Sequence, residues 1–487
     1  MRLSAHDASF LYTETASGPM HGVGITVLDG PATYQEIFDY YAARIHLVPR
    51  FRQKLAFVPY NLAHPKWVDD PDFRLENHIQ LHPVPPHASL DDAIQIALEL
   101  GERLLDRRRP LWMTYVLEDV AGHTVLAQMS HHAFVDGATA VAMSMVLTDP
   151  APDAAPPAPE GAWQPAPEPT PLQHWGQALR EQARAQLEVA TGGFKPQDPE
   201  ITRKALALMA RMARPVMQAP WNAGLVGPRR RFAAAEYPLD AFKTIRKALA
   251  GTVNDIVVAV VMEGAARYLK SHGEYVQNQY LRLMCPVNLR DGDVDPTNLD
   301  GNRVSAMFPV LPAWPMPIEE RYGSTRLELD RIKNDDEPRT LDALQQQSTV
   351  APPVAMAGTR AIGTPFDPTA DMARRPPPVP RHFGPRPLQT GFNFTCTNVP
   401  GPTWKQYVAS YGITSATGTM MLGGNLGFGV GVSSSNGIMT FGLTADPRLM
   451  PDVETMRDFV VEAFEDLTEV ARQRLVEVIQ AADREAA

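Results

Sequence analysis

Between Pro150 and Pro171 the chain carries nine prolines, spaced by alanine and glutamate. Proline removes a backbone donor and breaks the interior of a helix or a sheet. This stretch is therefore an extended linker. It cuts a chain of 487 residues into one folded part ahead of it and another behind. A second run, 351–387, holds ten prolines and reads as a long loop. The total is 46 prolines in 487 residues, well above the usual level of about 5%. The rest of the composition, 44% hydrophobic and 21% charged, is that of a globular protein and excludes a fibrous or wholly disordered chain.

Both flanking parts read as mixed α/β. Ahead of the linker, 22–28 reads as a strand. The runs 111–117 and 124–130 read as a hairpin turned at Asp119 to Gly122. Segments 34–46 and 90–105 have helical spacing. Behind the linker, 174–190 and 201–217 read as helices, the second amphipathic and basic. Asp240 and Thr252 are placed to cap helices ending near 249 and 270. Strands are expected at 281–285, 303–311, 390–397, 427–433 and 437–443, and a long closing helix over 451–482. The expected units are 1–149, a linker with connecting helices over 150–230, and 231–487.

Net charge is −10, so the chain lacks the basic footprint of a nucleic-acid binder. Two separate cysteines, Cys285 and Cys396, do not make a disulfide framework or a zinc site. The N-terminus has no apolar signal region, and the longest apolar run, 256–262, falls far short of the ~20 residues that span a bilayer. A cytoplasmic protein that meets membranes only peripherally is the expectation.

The chemistry concentrates in Ser130-His131-His132-Ala133-Phe134-Val135-Asp136-Gly137, between an apolar strand and a helical segment. Histidine titrates near neutrality and can take a proton from a hydroxyl and return it. Consecutive strand residues face opposite sides. One histidine can therefore point into a channel while the other is buried structurally. Asp136 reads as a structural carboxylate that orders the loop through an arginine or backbone amides, and Gly137 permits a close approach. A metal site at His131, His132 and Asp136 is disfavoured because adjacent strand histidines diverge. Two core histidines beside an incidental turn are the plain alternative. No G-x-S-x-G elbow, Walker A loop or helix-opening G-x-G-x-x-G is present.

At HHAFVDG the sequence resembles the CoA- or carrier-dependent acyltransferases, a superfamily that includes chloramphenicol acetyltransferase and condensation domains. Further segments resemble the bacterial bifunctional wax ester synthase/diacylglycerol acyltransferase family. They are Asp7-Ala8-Ser9-Phe10-Leu11 with Glu14 and Pro19-Met20-His21, then Leu105 to Trp112, Gly227 to Phe232, and Thr252-Val253-Asn254-Asp255. Pro286 to Arg290, Gly301-Asn302, Thr397 to Pro402, and Phe441-Gly442-Leu443 with Asp446 complete the series. Where the family usually has an acidic residue after Pro-Leu-Trp, this chain has Met113.

The resemblance implies two chloramphenicol-acetyltransferase-like α/β domains, each a mixed sheet with helices, around an interface tunnel. It implies direct transfer from acyl-CoA to a fatty alcohol or diacylglycerol with no cofactor and no metal. His132 would be the base, supported by His131, Asp136 and Gly137, with Asn254 as oxyanion donor. Glu14, Trp112, Arg290 and Asn398 would lie near the substrates, Arg290 as a partner for Asp136. A membrane or lipid-droplet surface is the implied partner, and no oligomeric state is implied. The competing readings are transfer to another alcohol or from a carrier-bound thioester, and a non-catalytic lipid-binding protein.

Overall fold

Two mixed sheets organise the molecule, and one of them draws strands from both ends of the chain. The computed structural model describes every residue except 59–60, 136, 160, 192–198, 290–303, 349–383 and 487. The first sheet has six strands in the order Tyr407–Val408, Tyr411–Gly418, His21–Leu28, His123–His131, Trp112–Val120, Ile79–Leu81. Its centre is the expected hairpin. Trp112–Val120 and His123–His131 are joined by Ala121 and Gly122, both at positive φ (50° and 82°), a pair that matches the right-handed twist of a hairpin.

Each face of this sheet is covered. Val23, Ile25, Ala127 and Met129 pack against Ala93, Ala97 and Leu100 of helix Leu90–Gly101. Ser89 and Asp92 cap that helix reciprocally. Met113 lies against this same apolar cluster, where an acidic side chain would be desolvated. The opposite face buries Leu28, Trp112, Val116 and Leu126 with Ile37, Tyr40 and Tyr41 of helix Tyr34–Ala42.

The second sheet runs Val304–Met307, Tyr280–Asn288, Phe394–Val399, Phe428–Ser435, Ile438–Ala445, Arg231–Pro238, with Val310–Pro312 also on Tyr280–Asn288. Helix Val253–Ser271 begins at a Thr252–Asp255 capping box, and its residues Ile256 to Ala266 are buried in the core of this half. Helix Val453–Ala486 packs along it through Met456, Val460 and Leu467. The strand expected at 427–433 is Phe428–Ser435, which carries Gly429 and Gly431. A side chain at Gly431 would press on Met420 Sδ at 3.0 Å.

Four expectations change. The unit 231–487 is not one domain, because Tyr407–Val408 and Tyr411–Gly418 belong to the first sheet. Gly24 pairs with Gly418 there, and Leu28 with Ile413. The edge of His21–Leu28 would otherwise be open. Second, the helix expected over 201–217 is Pro199–Ala213, and Val216–Met217 forms a short strand on Leu388–Gln389. The guanidinium of Arg282 ends this helix by donating to the carbonyls of Arg211, Met212 and Arg214 (2.8–3.2 Å). Third, Asp240 is not a cap. Helix Leu239–Leu249 follows Pro238, and Asp240 sits in the first turn bonded to Lys243 at 2.7 Å. The long closing helix starts two residues later than expected, at Val453.

Of the connecting helices, Pro171–Thr191 docks on the first half, where Glu181 meets Arg2 and Lys66. Pro199–Ala213 docks on the second, where Arg211 pairs with the buried Glu337. Among the described residues no single helix is long and apolar enough to cross a membrane.

Candidate active site

Strand His123–His131 ends at the motif, and the two histidines part there. His131 is 0% exposed. Its Nδ1 accepts the Ala133 N–H at 3.0 Å, which leaves the proton on Nε2. Nε2 faces Glu14 Oε1 at 3.4 Å. His132 follows in a turn, past the end of the strand. Its N–H donates to Met20 O at 2.7 Å, and its half-buried ring stacks on Phe10 with centroids 4.4 Å apart.

Glu14 ends helix Ala5–Thr13 and is 1% exposed. Its carboxylate collects Arg107 Nη2 at 2.8 Å and the Met20 N–H at 2.9 Å besides His131. Burial alone would raise the Glu14 pKa. The His131 ring, Arg107 and the Met20 amide outweigh it and bring the carboxyl down to about 2. Arg107 also donates to Leu11 O at 2.7 Å, locking the end of the first helix to the same cluster.

His21 stands directly across the sheet from His131. Its Nε2 meets Gly101 O at 3.0 Å. Burial takes its pKa down to about 4, the pull of Glu14 being too weak to restore it. His21 is therefore neutral at working pH.

Phe134 and Gly137, further along the motif, are packing residues. Phe134 is buried against Phe51 and Trp67 (ring centroids 5.5 and 5.7 Å). Trp112 backs Phe51 at 4.6 Å and stacks on His78 at 4.6 Å. The Trp112 indole N–H is spent on Phe51 O at 2.8 Å, and the side chain is 3% exposed. This places Trp112 in the wall behind the motif, not among groups that face a substrate. Gly137 opens helix Gly137–Leu147 against the second half, where a Cβ would stand 3.1 Å from Val399 Cγ2. HHAFVDG and Asn398-Val399-Pro400-Gly401-Pro402 therefore meet at this seam. Asn398 is half-buried one residue away, on the opposite face of its strand.

Other expected residues are not joined to the histidines. Asn254 is half-buried in the first turn of Val253–Ser271, where the capping bonds of Thr252 and Asp255 stay local. Asp136 and Arg290, and with them the pairing expected between the two, lie outside the described residues. Sequence reasoning did not single out Phe10, His21, Arg107 or the Met20 carbonyl as parts of this site. All four stand inside family-like segments, but their meeting depends on strand register and a loop path. Among the described residues no group of three or more His, Cys, Asp or Glu side chains is arranged to hold a metal ion.

Residues 3–257 match the family model described as wax ester synthase/diacylglycerol acyltransferase catalytic domain, and residues 300–468 match the WS/DGAT C-terminal domain. A putative diacylglycerol O-acyltransferase of Mycobacterium tuberculosis is 28% identical, over 96% of this chain and 90% of that one. A probable diacylglycerol O-acyltransferase of the same species is 26% identical, over 97% of each. Among solved structures, the wax ester synthase/diacylglycerol acyltransferase of Marinobacter aquaeolei superposes with a TM-score of 0.64 at 20% identity, covering 97% of this chain and 99% of that one. The starter condensation domain of rhizomide synthetase, solved with C8-CoA, gives 0.57 at 15% identity, covering 96% and 94%. The fold is thus the two-domain, chloramphenicol-acetyltransferase-like α/β architecture.

Proposed function

The chain belongs to the wax ester synthase/diacylglycerol acyltransferase family and is an acyl-CoA-dependent O-acyltransferase, and we propose that His132 is its general base. The observation that carries this reading is the division of labour between the two histidines. His131 has one ring nitrogen on a backbone amide and the other toward Glu14, deep in the core. His132 is the half-buried ring, stacked on Phe10 one residue beyond the strand end.

In the proposed step the acceptor hydroxyl gives its proton to His132, and its oxygen attacks the thioester carbonyl. The tetrahedral intermediate collapses, expelling the CoA thiolate, which recovers the proton from the imidazolium. A general base of this kind is worth roughly 10²–10⁴ in rate. Glu14, Arg107 and His131 fix the strand end, and we assign Asp136, from its place in the motif alone, to ordering the loop. Asn254 is our choice for the oxyanion donor, supported by its place at a helix start, where the dipole favours negative charge. Diacylglycerol is the favoured acceptor, supported by the names of the mycobacterial relatives, with a fatty alcohol as the second. Acyl-CoA thiol release against a panel of diacylglycerols, fatty alcohols and short polar alcohols tests this. Turnover confined to the short polar alcohols would overturn it.

We further propose that the enzyme works at the cytoplasmic surface of the inner membrane or at lipid droplets. Support comes from helix Pro171–Thr191, whose outer face exposes Leu172, Trp175, Leu179 and Leu187, with Arg180 also exposed beside them. Leu206 and Met209 are likewise exposed on the next helix.

A further inference from the structure

We propose that Arg230 is a positioning residue for this reaction, acting on His132 through the loop 15–20. The proposal rests on His132 as the base. Arg230 belongs to the run Gly227-Pro228-Arg229-Arg230-Arg231, far from the motif in sequence. Its guanidinium nevertheless reaches the first half. Nη2 donates to Ser17 O at 3.1 Å and to Leu422 O at 3.3 Å, while Nη1 donates to Gly227 O and to Arg229 O at 3.0 Å. One planar fork thus fastens three segments, which a lysine cannot reproduce. Burial lowers the Arg230 pKa to about 10, against the attraction of Asp446 and Glu102, so the group stays cationic near neutrality.

The loop it holds leads to the catalytic histidine. Backbone hydrogen bonds between Thr15 and Gly18 (3.2 and 3.0 Å) close it into a tight turn. The turn lies on the segment that follows strand Tyr411–Gly418. A Cβ on Gly18 would stand 3.2 Å from Leu422 O, and one on Gly423 would stand 3.1 Å from Met20 Cε. Leu422 is itself anchored among Val226 and Leu449. At the loop's far end the Met20 N–H is fixed by Glu14, and the Met20 carbonyl holds the His132 N–H. Ser17 and Met20 are three residues apart, so a shift at Ser17 reaches the peptide that sets the His132 backbone. Misplacing a reacting group by about 1 Å costs on the order of 100-fold in rate.

The test measures kcat and KM for acyl-CoA in Arg230→Met and Arg230→Lys, on protein shown to be folded by its thermal transition. The expected result is a kcat roughly 10–100-fold lower in Arg230→Met. KM for acyl-CoA should stay within about threefold, since the shift acts on the chemical step and not on ground-state binding. Arg230→Lys should fall between, and the acid limb of the kcat–pH profile should move. A loss carried by KM would mean that Arg230 binds substrate, and kcat within about twofold of wild type would mean that it only stabilises the fold. Either overturns the proposal. If Arg230→Met does not fold, Gly18→Ala replaces it, because its methyl group pushes the same loop off Leu422. The same fall in kcat is expected, and an unchanged kcat overturns the proposal. His132→Ala is run in parallel. If it retains the wild-type rate, the base assignment fails. If it alone loses rate, only the role of Arg230 fails.

Discussion

Gly137 touches Val399: a Cβ on the glycine would stand 3.1 Å from Val399 Cγ2. The last residue of the histidine motif and the third residue of Thr397 to Pro402 share one packing contact across the two halves. Gly137→Ala therefore overfills the seam, at a cost of about 1–3 kcal/mol if the valine cannot give way. Activity should fall with it. Val399→Ala alone should be milder, and the double variant should recover both melting temperature and rate. A double variant that simply adds the two losses would show that the contact does not couple the motifs.

His132→Ala should lose roughly 10²–10⁴ in acyl-CoA thiol release while keeping the wild-type melting temperature. His131→Ala should do the reverse in emphasis. It takes a partner from the buried carboxylate of Glu14, so unfolding should come several degrees earlier. Side-by-side melting curves and thiol-release rates separate the two, and equal stability losses would contradict the division of roles.

Acid should act through His21. Its pKa is held at about 4 in the folded protein, below an unfolded value near 6.5. The unfolded chain therefore binds the proton first. Full stability is present above pH 6.5 and is lost as the pH falls towards 4. The 2.5-unit difference corresponds to about 3 kcal/mol. Urea unfolding at pH 7 and pH 4.5 should show a smaller difference for His21→Gln than for wild type. Equal differences would mean that His21 is not the group being titrated. The Glu14 carboxyl, lowered to about 2, adds its own loss only below about pH 4.5.

Membrane contact should map to the helix Pro171–Thr191. Wild-type protein should pellet with phosphatidylglycerol-containing vesicles, and Trp175→Glu/Leu179→Glu should not, since both side chains are on the exposed face. Arg211 is a poor choice for a charge-reversal test because it is committed to Glu337. Arg203, on the second helix, and Arg214, just past its end, remain exposed and are the better pair. Equal pelleting of the Trp175/Leu179 variant would remove this helix as the contact, and no pelleting of wild type would remove the membrane from the account.

What the sequence made legible was local. The Thr252–Asp255 cap and the hairpin around Ala121 and Gly122 each follow from spacings of a few residues. Less could be read where the deciding partner is remote. Nothing in Tyr411–Gly418 announces that it pairs with His21–Leu28, because alternation shows that a strand exists and not whose edge it covers. The helix expected to continue to Met217 stops at Ala213, where Arg282, fixed in a distant strand, takes its last carbonyls. Arg107 is the first of three consecutive arginines, and only the fold shows that this one meets Glu14. Trp112 stands in a family-like segment but serves the wall, since its only polar atom is spent on Phe51.

The strand that crosses back to the first sheet also sets an order of events in biosynthesis. Val23 and Thr419 bond across a gap of 396 residues. On the ribosome, the first half waits with one strand edge unprotected until nearly the whole chain has been made. The residues that hold His132 wait with it, because Leu422 and Gly423 follow directly on that strand. A chain truncated anywhere before 411 is left with an adhesive edge and an unbraced histidine loop, so the fragments should aggregate instead of retaining partial activity.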